Sequence, residues 1–472
     1  MLRAAYPSTT RICLVTPSNS AEYAGIDSTF PIRPPSTGLA ILARRTRERF
    51  FAVNRDVEIA VLEGQGFTPV TIGALARYDI LGFSILFSNY SEALQLADAV
   101  KKASPGVKII MGGPYAACLG SRILTNRPAV DGVVVGDGED ALWRIAAGAP
   151  ENEVPNYWYR DTTGAPRFSF GARFPLAEIG VYDFASHEGY DLSIWDARRP
   201  DYVSDPTRSP IALSWIRGCS AAAERGKCAY CSAADRAVRF TPPDLAWQQV
   251  QHLRETYGVR SYFETGDNFL VGDYPEQLLA SGNRDSDIDL RVYLLPDHLT
   301  PGRVGTLVEL GVKEVFIGIE SVYPEIMKWS RHGVDEGAVL AALAELAEGG
   351  TAVTVAFMFG FPGECEASLG AQRRFAERVA DYPNVRRVLL SLAIPLIGTR
   401  WYDELMLGTG SDARGRSAIP SASDMPDYRK VFEYSVQTRC RVPLKRILDS
   451  LDALRSTTFR DRAVGCFGGL GF

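Results

Sequence analysis

The stretch Arg217–Cys231, RGCSAAAERGKCAYC, decides how this chain is interpreted. It carries three of the eight cysteines in the pattern C-x8-C-x2-C, whereas the other five stand alone. The basic residues Arg217 and Lys227 flank the thiols and favour their deprotonated form. The stretch directly follows an apolar run of strand length, and loops after parallel strands form the active-site face of β/α folds. The sequence therefore places three potential metal ligands where catalytic groups belong.

Three thiolates in such a loop suit two kinds of metal group. They could bind a tetrahedral zinc ion completed by a distant residue, or three of the four irons of a [4Fe–4S] cluster. No other cysteine or histidine has an evident sequence link to the loop. The open coordination position is therefore more naturally reserved for a substrate or cofactor, which favours a catalytic cluster over a structural zinc ion.

Composition excludes several broad classes of protein. The chain has 472 residues, 46% of them hydrophobic, and its 51 Lys and Arg against 56 Asp and Glu give a net charge of −5. It is therefore neither disordered nor fibrous, and it lacks the positive footprint expected when nucleic acid is the main ligand. No apolar run reaches the ~20 residues of a membrane span, and eight cysteines are too sparse for a disulfide scaffold. We expect a cytoplasmic protein that contacts no membrane.

Apolar runs of strand length alternate with helical patterns in the first third of the chain. Strands joined by helices form a parallel sheet covered on both faces. We therefore predict an α/β fold whose N-terminal domain, residues 1–145, is a doubly wound, Rossmann-like parallel sheet. The predicted strands are Arg11–Thr16, Val57–Leu62, Ile80–Ile85, Lys108–Met111 and Gly132–Val135, and the predicted helices are Leu39–Arg49 and Ser91–Ala103.

A second alternating series follows a connecting segment, residues 146–205, and predicts a partial (β/α)6 barrel over residues 206–407. The C-terminal region, residues 408–472, is predicted to be small, mainly helical and able to cap a substrate. Nine basic against four acidic residues between Arg429 and Arg462 hint at an anionic group on that substrate. The predicted barrel strands are Ile211–Ser214, Ser261–Glu264, Leu290–Leu294, Glu314–Ile319, Ala352–Met358 and Arg387–Ala393, and the clearest helix is Asp335–Glu348.

The cysteine loop, with an aromatic residue before its last cysteine, resembles the cluster loop of the radical S-adenosylmethionine (SAM) superfamily. The chain as a whole resembles the members that carry an N-terminal cobalamin-binding domain. The usual family spacing is C-x3-C-x2-C, so five extra residues lie within the first interval, Ser220–Lys227. We expect this insertion only to lengthen a surface loop, which costs little entropy. The resemblance implies that Cys219, Cys228 and Cys231 hold a [4Fe–4S] cluster.

Four later segments resemble the superfamily's SAM-binding segments in the same order. Phe263–Phe269 corresponds to the segment at the methionine end of SAM, Gly318–Ser321 to the ribose-contacting segment, and Gly360–Glu364 to the turn beside the adenosine. Pro395–Thr399 corresponds to the segment after the sixth strand. Carboxylates suit the cationic amino group and the sugar hydroxyls because they accept hydrogen bonds. The SAM-binding residues that the resemblance implies are Tyr230, Glu264, Gly266, Asp267, Glu320, Ser321, Gly360 and Pro362.

The strand ends of the N-terminal domain resemble those of cobalamin-binding domains. Glycines there let a bulky, phosphate-bearing tail approach the backbone, and helix N-termini add positive potential. Since no histidine precedes His187, a bound cobalamin would lack a histidine ligand, which suits methyl transfer. The alternative is a domain that has lost the corrin and serves as a scaffold or partner surface. The cobalamin-binding residues that the resemblance implies are Thr37, Gly38, Ser88, Asn89, Gly112, Gly113, Pro114, Tyr115, Gly136, Gly138 and Glu139.

By this resemblance the chain is a cobalamin-dependent radical SAM enzyme, with C-methylation of an unactivated carbon in a biosynthetic small molecule or peptide as the leading hypothesis. An electron from a donor such as flavodoxin or ferredoxin would cleave SAM to methionine and a 5′-deoxyadenosyl radical. Two alternatives stay open: a radical rearrangement, cyclisation, epimerisation or group transfer without methyl transfer, and a non-catalytic zinc-binding protein. His298, after the third barrel strand, and the tail thiol of Cys466 are candidate catalytic groups.

Overall fold

The computed structural model describes residues 9–20, 35–188, 210–233, 235, 237–407, 423–460 and 462–465. These residues form two compact units. The first unit contains the described residues up to 188 together with residues 423–424, and the second unit contains all the others. No helix in the described ranges combines the length and the apolar character that a bilayer crossing needs.

The first unit is built on a seven-stranded sheet with the order β2-β1-β3-β4-β5-β6-β7. The first five strands pair in parallel, and the last two are joined by antiparallel pairs. Its elements are β1 Thr10–Pro17, α1 Thr37–Ala52, β2 Val57–Gln65, α2 Pro69–Leu75, β3 Ile80–Ser84, α3 Tyr90–Ala103, β4 Lys108–Gly112, α4 Pro114–Leu119, α5 Ser121–Asn126, β5 Gly132–Val134, α6 Glu139–Ala147, β6 Tyr157–Arg160 and β7 Pro166–Ser169.

The predicted doubly wound sheet is confirmed. All five predicted strands and both predicted helices are present, with ends that differ from the prediction by three residues or fewer. The strand order reverses between the neighbouring strands β1 and β3, which is the point where doubly wound sheets bind ligands beyond the carboxyl ends of their strands. Strands β6 and β7 belong to the predicted connecting segment and extend the sheet as an antiparallel hairpin.

Buried apolar side chains hold the helices of the first unit against its sheet. Ile12 and Leu14 of β1 pack with Leu39 and Phe50 of α1 and with Leu142 of α6, and none of the five is more than 6% exposed. Helix α1 begins at Ser36, whose hydroxyl accepts a hydrogen bond from the backbone N–H of Leu39 at 3.4 Å. This packing directs the start of α1 towards the edge where the parallel strands end.

The second unit is built on another seven-stranded sheet, with the order β16-β15-β14-β13-β12-β11-β8, in which every pair is parallel. Its elements are β8 Ile211–Leu213, β9 Ile216–Arg217, α7 Ser220–Glu224, β10 Arg239–Phe240, α8 Pro243–Tyr257, β11 Ser261–Glu264, α9 Tyr274–Ala280, β12 Asp289–Leu294, α10 Arg303–Leu310, β13 Val312–Glu320, α11 Pro324–Ser330, α12 Glu336–Glu348, β14 Ala352–Phe359, α13 Glu366–Ala380, β15 Val385–Leu392, α14 Arg400–Leu407, α15 Tyr428–Arg439, α16 Leu444–Ala453 and β16 Ala463–Gly465.

The six predicted barrel strands are β8 and β11 to β15, which confirms the parallel β/α architecture of this region. The seventh strand, β16, was not predicted, because three residues after a polar helical tail carry no strand periodicity. Strand β16 pairs with β15 at the sheet edge. The mainly helical character of the C-terminal region is confirmed by α15 and α16, and residues 408–422 of that region lie outside the described ranges.

The basic residues of the C-terminal region have partners inside the second unit. Arg446 pairs with Glu366 at 2.8 Å, and Arg441 lies 3.7 Å from Glu325. Arg462 donates to the backbone carbonyl of Ala380 at 3.0 Å. These contacts give part of the positive charge of the tail a structural use, and the anionic group on the substrate stays a prediction.

Asp424 is a buried anchor in the first unit. Its carboxylate accepts hydrogen bonds from the hydroxyl of Tyr90 at 2.6 Å and from the guanidinium of Arg127 at 2.7 and 3.0 Å. Both Asp424 and Tyr90 are less than 5% exposed. Because Tyr90 begins α3 directly after Asn89, the anchor fixes the helix start that follows one predicted cobalamin loop.

We expect D424A to lower the stability of the first unit by about 2–4 kcal/mol, because a buried hydroxyl and a half-buried guanidinium lose their shared acceptor. Urea unfolding followed by circular dichroism would measure the loss. D287A, which removes one partner of the exposed pair between Arg260 and Asp287, is the matched control and should cost less than about 1 kcal/mol. Equal effects of the two variants would contradict the anchoring role.

Candidate functional site

The cysteine loop leaves the sheet through a short antiparallel pair. Strand β9 pairs with β10, with Arg217 opposite Arg239. The next residue, Gly218, has a φ of +94°, and a Cβ atom there would lie 2.2 Å from the carbonyl oxygen of Ala237. Only glycine fits this position. Cys219 then caps the N-terminus of α7, so the first predicted ligand has a backbone geometry fixed on both sides.

The three predicted ligand thiols are half-buried neighbours. Burial raises the pKa of Cys228 to about 12 and that of Cys231 to about 11, and it also raises the pKa of Cys219. The negative charge of Cys219 adds to the rise at each of the other two. Thiolates here are therefore costly without a cation, and a bound metal group would remove that cost.

The geometry of the three thiols can be compared with the two metal groups that the sequence left open. Among the described residues, no three His, Cys, Asp or Glu side chains converge as a single metal ion requires. Each thiolate of a [4Fe–4S] cluster binds a different iron, so its cysteines need not meet at one point. Three half-buried thiols on one loop are therefore compatible with the cluster that the resemblance implies.

The insertion between the first two cysteines is not the simple surface loop that we expected. It folds as α7, in which Ser220 and Ala221 are at most 2% exposed. The hydroxyl of Ser220 accepts a hydrogen bond from the amide of Asn268 at 3.1 Å. Arg225, just after the helix, pairs with Asp297. The prediction was wrong because alanines in a short insertion can be buried as a helix as readily as they can extend a loop.

Glu264, at the end of β11, is completely buried and already has hydrogen-bond partners. One carboxylate oxygen accepts from the backbone N–H groups of Trp215 and Ile216 at 3.2 and 3.0 Å, and the other accepts from Gly266 at 2.9 Å. Burial raises its pKa to about 8. The structure thus gives Glu264 a role in fixing the backbone before Cys219, alongside its predicted role in SAM binding.

Asp267 faces the cysteine loop from the segment after β11. Its side chain is open to solvent, yet the surrounding protein raises the pKa of its carboxyl group, and Asp235 adds to the rise. Its negative charge in turn raises the pKa of Cys219 and Cys231. Of the two predicted carboxylates in this segment, Asp267 is the one available to a ligand amino group.

Glu320 combines a strained backbone with an unpaired carboxylate oxygen. It ends β13 at a register shift and has a φ of +59°, a conformation that L-residues rarely adopt. Its Oε2 atom is buried and has no hydrogen-bond partner among the described residues. Burial raises its pKa to about 8. Strain together with an unsatisfied acceptor is what a ligand-binding carboxylate shows in the absence of its ligand.

Gln372 is a residue that the sequence analysis missed. It is 3% exposed on α13 and donates to the backbone carbonyls of Glu320 and Met358, both at 2.9 Å, while its own carbonyl accepts from Val322 at 3.3 Å. It therefore joins the ends of β13 and β14 and keeps the loop of Ser321 in place. The sequence did contain a signal for this residue, namely a glutamine on the apolar face of a helical pattern.

The turn after β14 approaches helix α15 closely. Gly360 has a φ of +93°, and a Cβ atom there would lie 2.6 Å from the ring of Phe432. The buried carboxylate of Glu364 accepts from the N–H of Gly360 at 3.0 Å. The half-buried Pro362 lies within this turn. The backbone at the predicted adenosine turn is therefore held in one conformation.

Aromatic rings surround the residue before the last cysteine. The ring of Tyr230 lies 5.3 Å from that of Phe361 and 6.1 Å from that of His332. Phe361 in turn packs against Trp329 and Trp401 at 6.3 and 5.9 Å. Tyr230 thus connects the cysteine loop to the turn after β14, and its half-buried ring offers an apolar surface at the predicted SAM site.

Of the two candidate catalytic groups, His298 lies within the described residues and Cys466 does not. The Nδ1 atom of His298 lies 3.0 Å from the carbonyl oxygen of Leu270 and 3.1 Å from the side-chain amide nitrogen of Asn268. Asn268 also accepts from the N–H of Leu295 at 3.1 Å. These contacts favour a role for His298 in joining the ends of β11 and β12. Cys466 lies outside the described residues.

The predicted cobalamin residues of the first unit lie at the ends of its parallel strands, in the loops that follow them and in the first turns of the next helices. Ser88 donates to the side chain of Asn19 at 2.8 Å, and Asn89 accepts from the N–H of Leu86 at 2.8 Å. These contacts fix the loop after β3. Thr37 is buried and Gly38 exposed at the start of α1.

The other two predicted cobalamin loops follow β4 and β5. Gly112 ends β4, and Gly113 has a φ of +93° and would place a Cβ atom 3.0 Å from the backbone of Ile85, so it must be glycine. Pro114 starts α4, and Tyr115 packs on Tyr90 with ring centres 5.4 Å apart. After β5, Gly136 has a φ of +84°, Gly138 caps α6 and the buried Glu139 begins that helix.

The first unit also contains a histidine, which lies in the predicted connecting segment. His187 lies beside β2, where Val61 donates to the carbonyl of Ser186 at 2.7 Å. Its side chain is 1% exposed, with Nε2 3.4 Å from the carboxylate of Glu63. The side chain of His187 is therefore enclosed within the first unit, beside the carboxylate of Glu63.

Two family models match the chain. Residues 213–376 match the radical SAM superfamily, and residues 26–146 match the B12 binding domain. Together the matches cover more than half of the chain and include the cysteine loop and the predicted cobalamin loops. The chain therefore belongs to the radical SAM enzymes with an N-terminal B12-binding domain, the class predicted from its sequence, whose cofactors are a [4Fe–4S] cluster, SAM and cobalamin.

Individual proteins resemble the chain over most of its length. An uncharacterized methyltransferase of Pyrococcus horikoshii is 24% identical over 416 residues, which cover 83% of this chain and 82% of that protein. The radical SAM methyltransferase TsrM from Kitasatospora setae, solved with cobalamin and a [4Fe–4S] cluster, is 14% identical with a TM-score of 0.70 and 98% coverage of both chains. OxsB, a cobalamin-dependent SAM radical enzyme, is 15% identical with a TM-score of 0.64, covering 85% of this chain and 61% of its own. The structural likeness is one of fold.

The three hydrogen bonds of Glu264 predict a structural effect of E264Q. The glutamine amide group would face at least one backbone N–H donor, which leaves a buried donor unsatisfied at a cost of about 1–3 kcal/mol. We expect a lower midpoint of unfolding and less iron bound after anaerobic reconstitution. The control is E276Q, on α9. A variant with wild-type stability and iron content would show that the carboxylate does not hold this backbone.

The unpaired carboxylate of Glu320 leads to a prediction about the pH dependence of stability and the affinity for SAM. Its pKa is about 8 in the folded chain against an ordinary 4.5, so its contribution to stability is complete at low pH and is lost as the pH rises through about 8. E320Q should therefore lose less stability than the wild type between pH 6 and pH 9, while its affinity for SAM falls. Thermal unfolding across pH and calorimetric titration with SAM would measure both, with E325Q as the control. An undiminished affinity would contradict ligand binding by Glu320.

Proposed function

We propose that this chain is a cobalamin-dependent radical SAM methyltransferase that adds a methyl group to an unactivated carbon of a small molecule or peptide. One observation carries the proposal. The cysteine loop comes after β8, the available carboxylate of Asp267 comes after β11, and the unpaired oxygen of Glu320 lies at the end of β13, so all three lie beyond or at carboxyl ends of strands of one parallel sheet. Two proteins that the chain resembles, the Pyrococcus protein and TsrM, are named as methyltransferases, which supports methyl transfer over other radical reactions.

The proposed roles follow from the contacts of each side chain. Cys219, Cys228 and Cys231 would bind three irons and leave the fourth for the methionine end of SAM. When bound, the cluster and SAM supply the radical, and cobalamin carries the methyl group. Asp267 would accept hydrogen bonds from the ligand's amino group, because its carboxylate is open while that of Glu264 is occupied by backbone amides.

The rest of the nucleotide would meet residues from later strands. Glu320 and Ser321 would accept from the ribose hydroxyls, because Glu320 ends β13 with an unpaired carboxylate oxygen and Ser321 directly follows it. The fixed turn with Gly360 and Pro362 and the ring of Tyr230 would enclose the adenine. A stiff pocket of this kind excludes water and holds the reacting groups in place before reaction.

The first unit would bind cobalamin through the loops that contain Gly38, Ser88, Gly113, Tyr115 and Gly138. The glycine geometries there allow close approach to the backbone, and the enclosed position of His187 agrees with a cobalamin that lacks a histidine ligand. An electron donor such as flavodoxin or ferredoxin would reduce the cluster. Reduced thiols and a cluster of this kind also suit the cytoplasm.

Anaerobic reconstitution tests the proposal without knowledge of the substrate. We expect about four irons and one cobalamin per chain, and conversion of SAM to 5′-deoxyadenosine under reducing conditions. C219A, C228A and C231A should each lose the iron and the turnover, whereas C118A, which removes a thiol of the first unit, should keep both. Iron and turnover without stoichiometric cobalamin would eliminate methyl transfer, and zinc in place of iron and sulfide would eliminate the radical chemistry.

A further inference from the structure

The insertion between the first two cysteines contains two cations, Arg225 and Lys227. Arg225 follows α7 and is held at two of its nitrogen atoms. Its Nε donates to the carbonyl of Arg331 at 3.0 Å, and Nη1 pairs with the carboxylate of Asp297. Its Nη2 atom is buried and has no partner among the described residues. A guanidinium fixed by two contacts therefore keeps one donor uncommitted.

The same contacts connect Arg225 to a predicted cluster ligand. The carbonyl of Arg331 that accepts from Arg225 also lies 3.6 Å from the sulfur of Cys228. Arg331 has a φ of +59°, which turns this carbonyl out of the regular helix path. The next residue, His332, lies 3.9 Å from that sulfur through Nδ1 and donates from Nε2 to the carbonyl of Gly318 at 2.8 Å. Arg225 and Cys228 thus share one backbone acceptor.

Arg225 places a positive charge beside the predicted ligand Cys228. Its Nε atom and the sulfur of Cys228 lie 3.0 and 3.6 Å from the same carbonyl oxygen, that of Arg331. Lys227, the other cation of the insertion, directly precedes Cys228 in the sequence. The insertion therefore brings positive charge to the cysteine loop, and Arg225 is the cation that is held there by hydrogen bonds to other segments of the second unit.

We propose that Arg225 is a positioning residue that stabilises the reduced state of the cluster bound by Cys219, Cys228 and Cys231. The inference rests on the proposed function, because it requires that cluster. Reduction adds one electron from the donor protein to a group already bound by three thiolates, and a nearby cation offsets the added negative charge. Net charge and hydrogen bonds to sulfur are the properties through which proteins set cluster potentials.

The test compares three variants of the reconstituted protein by redox titration with EPR detection, without SAM and without substrate. R225Q should shift the midpoint potential of the cluster to a more negative value, and should lose iron to a chelator roughly tenfold faster than the wild type. R225K, which keeps the charge but not the planar fork, should stay closer to the wild-type potential. R260Q removes an Arg–Asp pair at the amino end of β11, whereas the cysteine loop lies beyond the carboxyl ends of the strands. This variant should leave both the midpoint potential and the rate of iron loss unchanged.

The outcomes separate this inference from the proposed function. A wild type that binds a cluster, together with an R225Q variant of unchanged potential, would overturn the role of Arg225 and leave the proposed function standing. If R225Q and R225K lose iron equally fast while the midpoint potential of the cluster is unchanged, Arg225 makes a purely structural contact. That result would also overturn the proposed role of Arg225. If R225Q binds no cluster, the midpoint potential of R225K decides instead. A midpoint potential of R225K that is clearly more negative than that of the wild type would count against the proposal, because R225K keeps the positive charge. A wild type that assembles no cluster would overturn the proposed function and this inference together.

Discussion

The buried carboxylate of Glu264 is the contact on which the geometry of the second unit depends. By accepting three backbone hydrogen bonds from residues after β8 and β11, it ties two strand ends together directly before Cys219. A carboxylate without exposure would be expensive without such partners. With them, it fixes the course of the chain into the cysteine loop. Asn268 and Gln372 repeat the principle further along the sheet, where buried amides join the ends of β11 and β12 and of β13 and β14.

Much of this arrangement could be predicted from the sequence. Strands such as Ser261–Glu264 and Ala352–Phe359 are apolar runs between helical patterns, and a parallel sheet brings their carboxyl ends to one edge. The cysteine spacing, the acidic segment after β11 and the glycine turn after β14 therefore indicate a single site from the order of residues alone. The family models that match residues 26–146 and 213–376 agree with the predicted class of protein.

The parts that could not be predicted depend on contacts between residues distant in sequence. Nothing in the letters of the insertion shows that Ser220 meets Asn268 or that Arg225 meets Asp297, so the sequence alone predicts a surface loop there. The same holds for His187, which reaches β2 from 126 positions along the chain, as its pairing with Val61 shows. Strand β16 was missed because its three residues are held by the neighbouring strand rather than by their own periodicity. Whether a carboxylate is occupied, as in Glu264, or unpaired, as in Glu320, is likewise visible only in the folded chain.

The central claim is that three cysteine thiolates hold a [4Fe–4S] cluster whose fourth iron remains open to SAM. Mössbauer spectroscopy of anaerobically reconstituted, iron-57-labelled protein, recorded before and after addition of SAM, tests this claim most directly. The account predicts that one iron of the four changes its spectrum when SAM is added while the other three do not. Four irons that are equivalent in both samples would show a fourth protein ligand and would contradict the account.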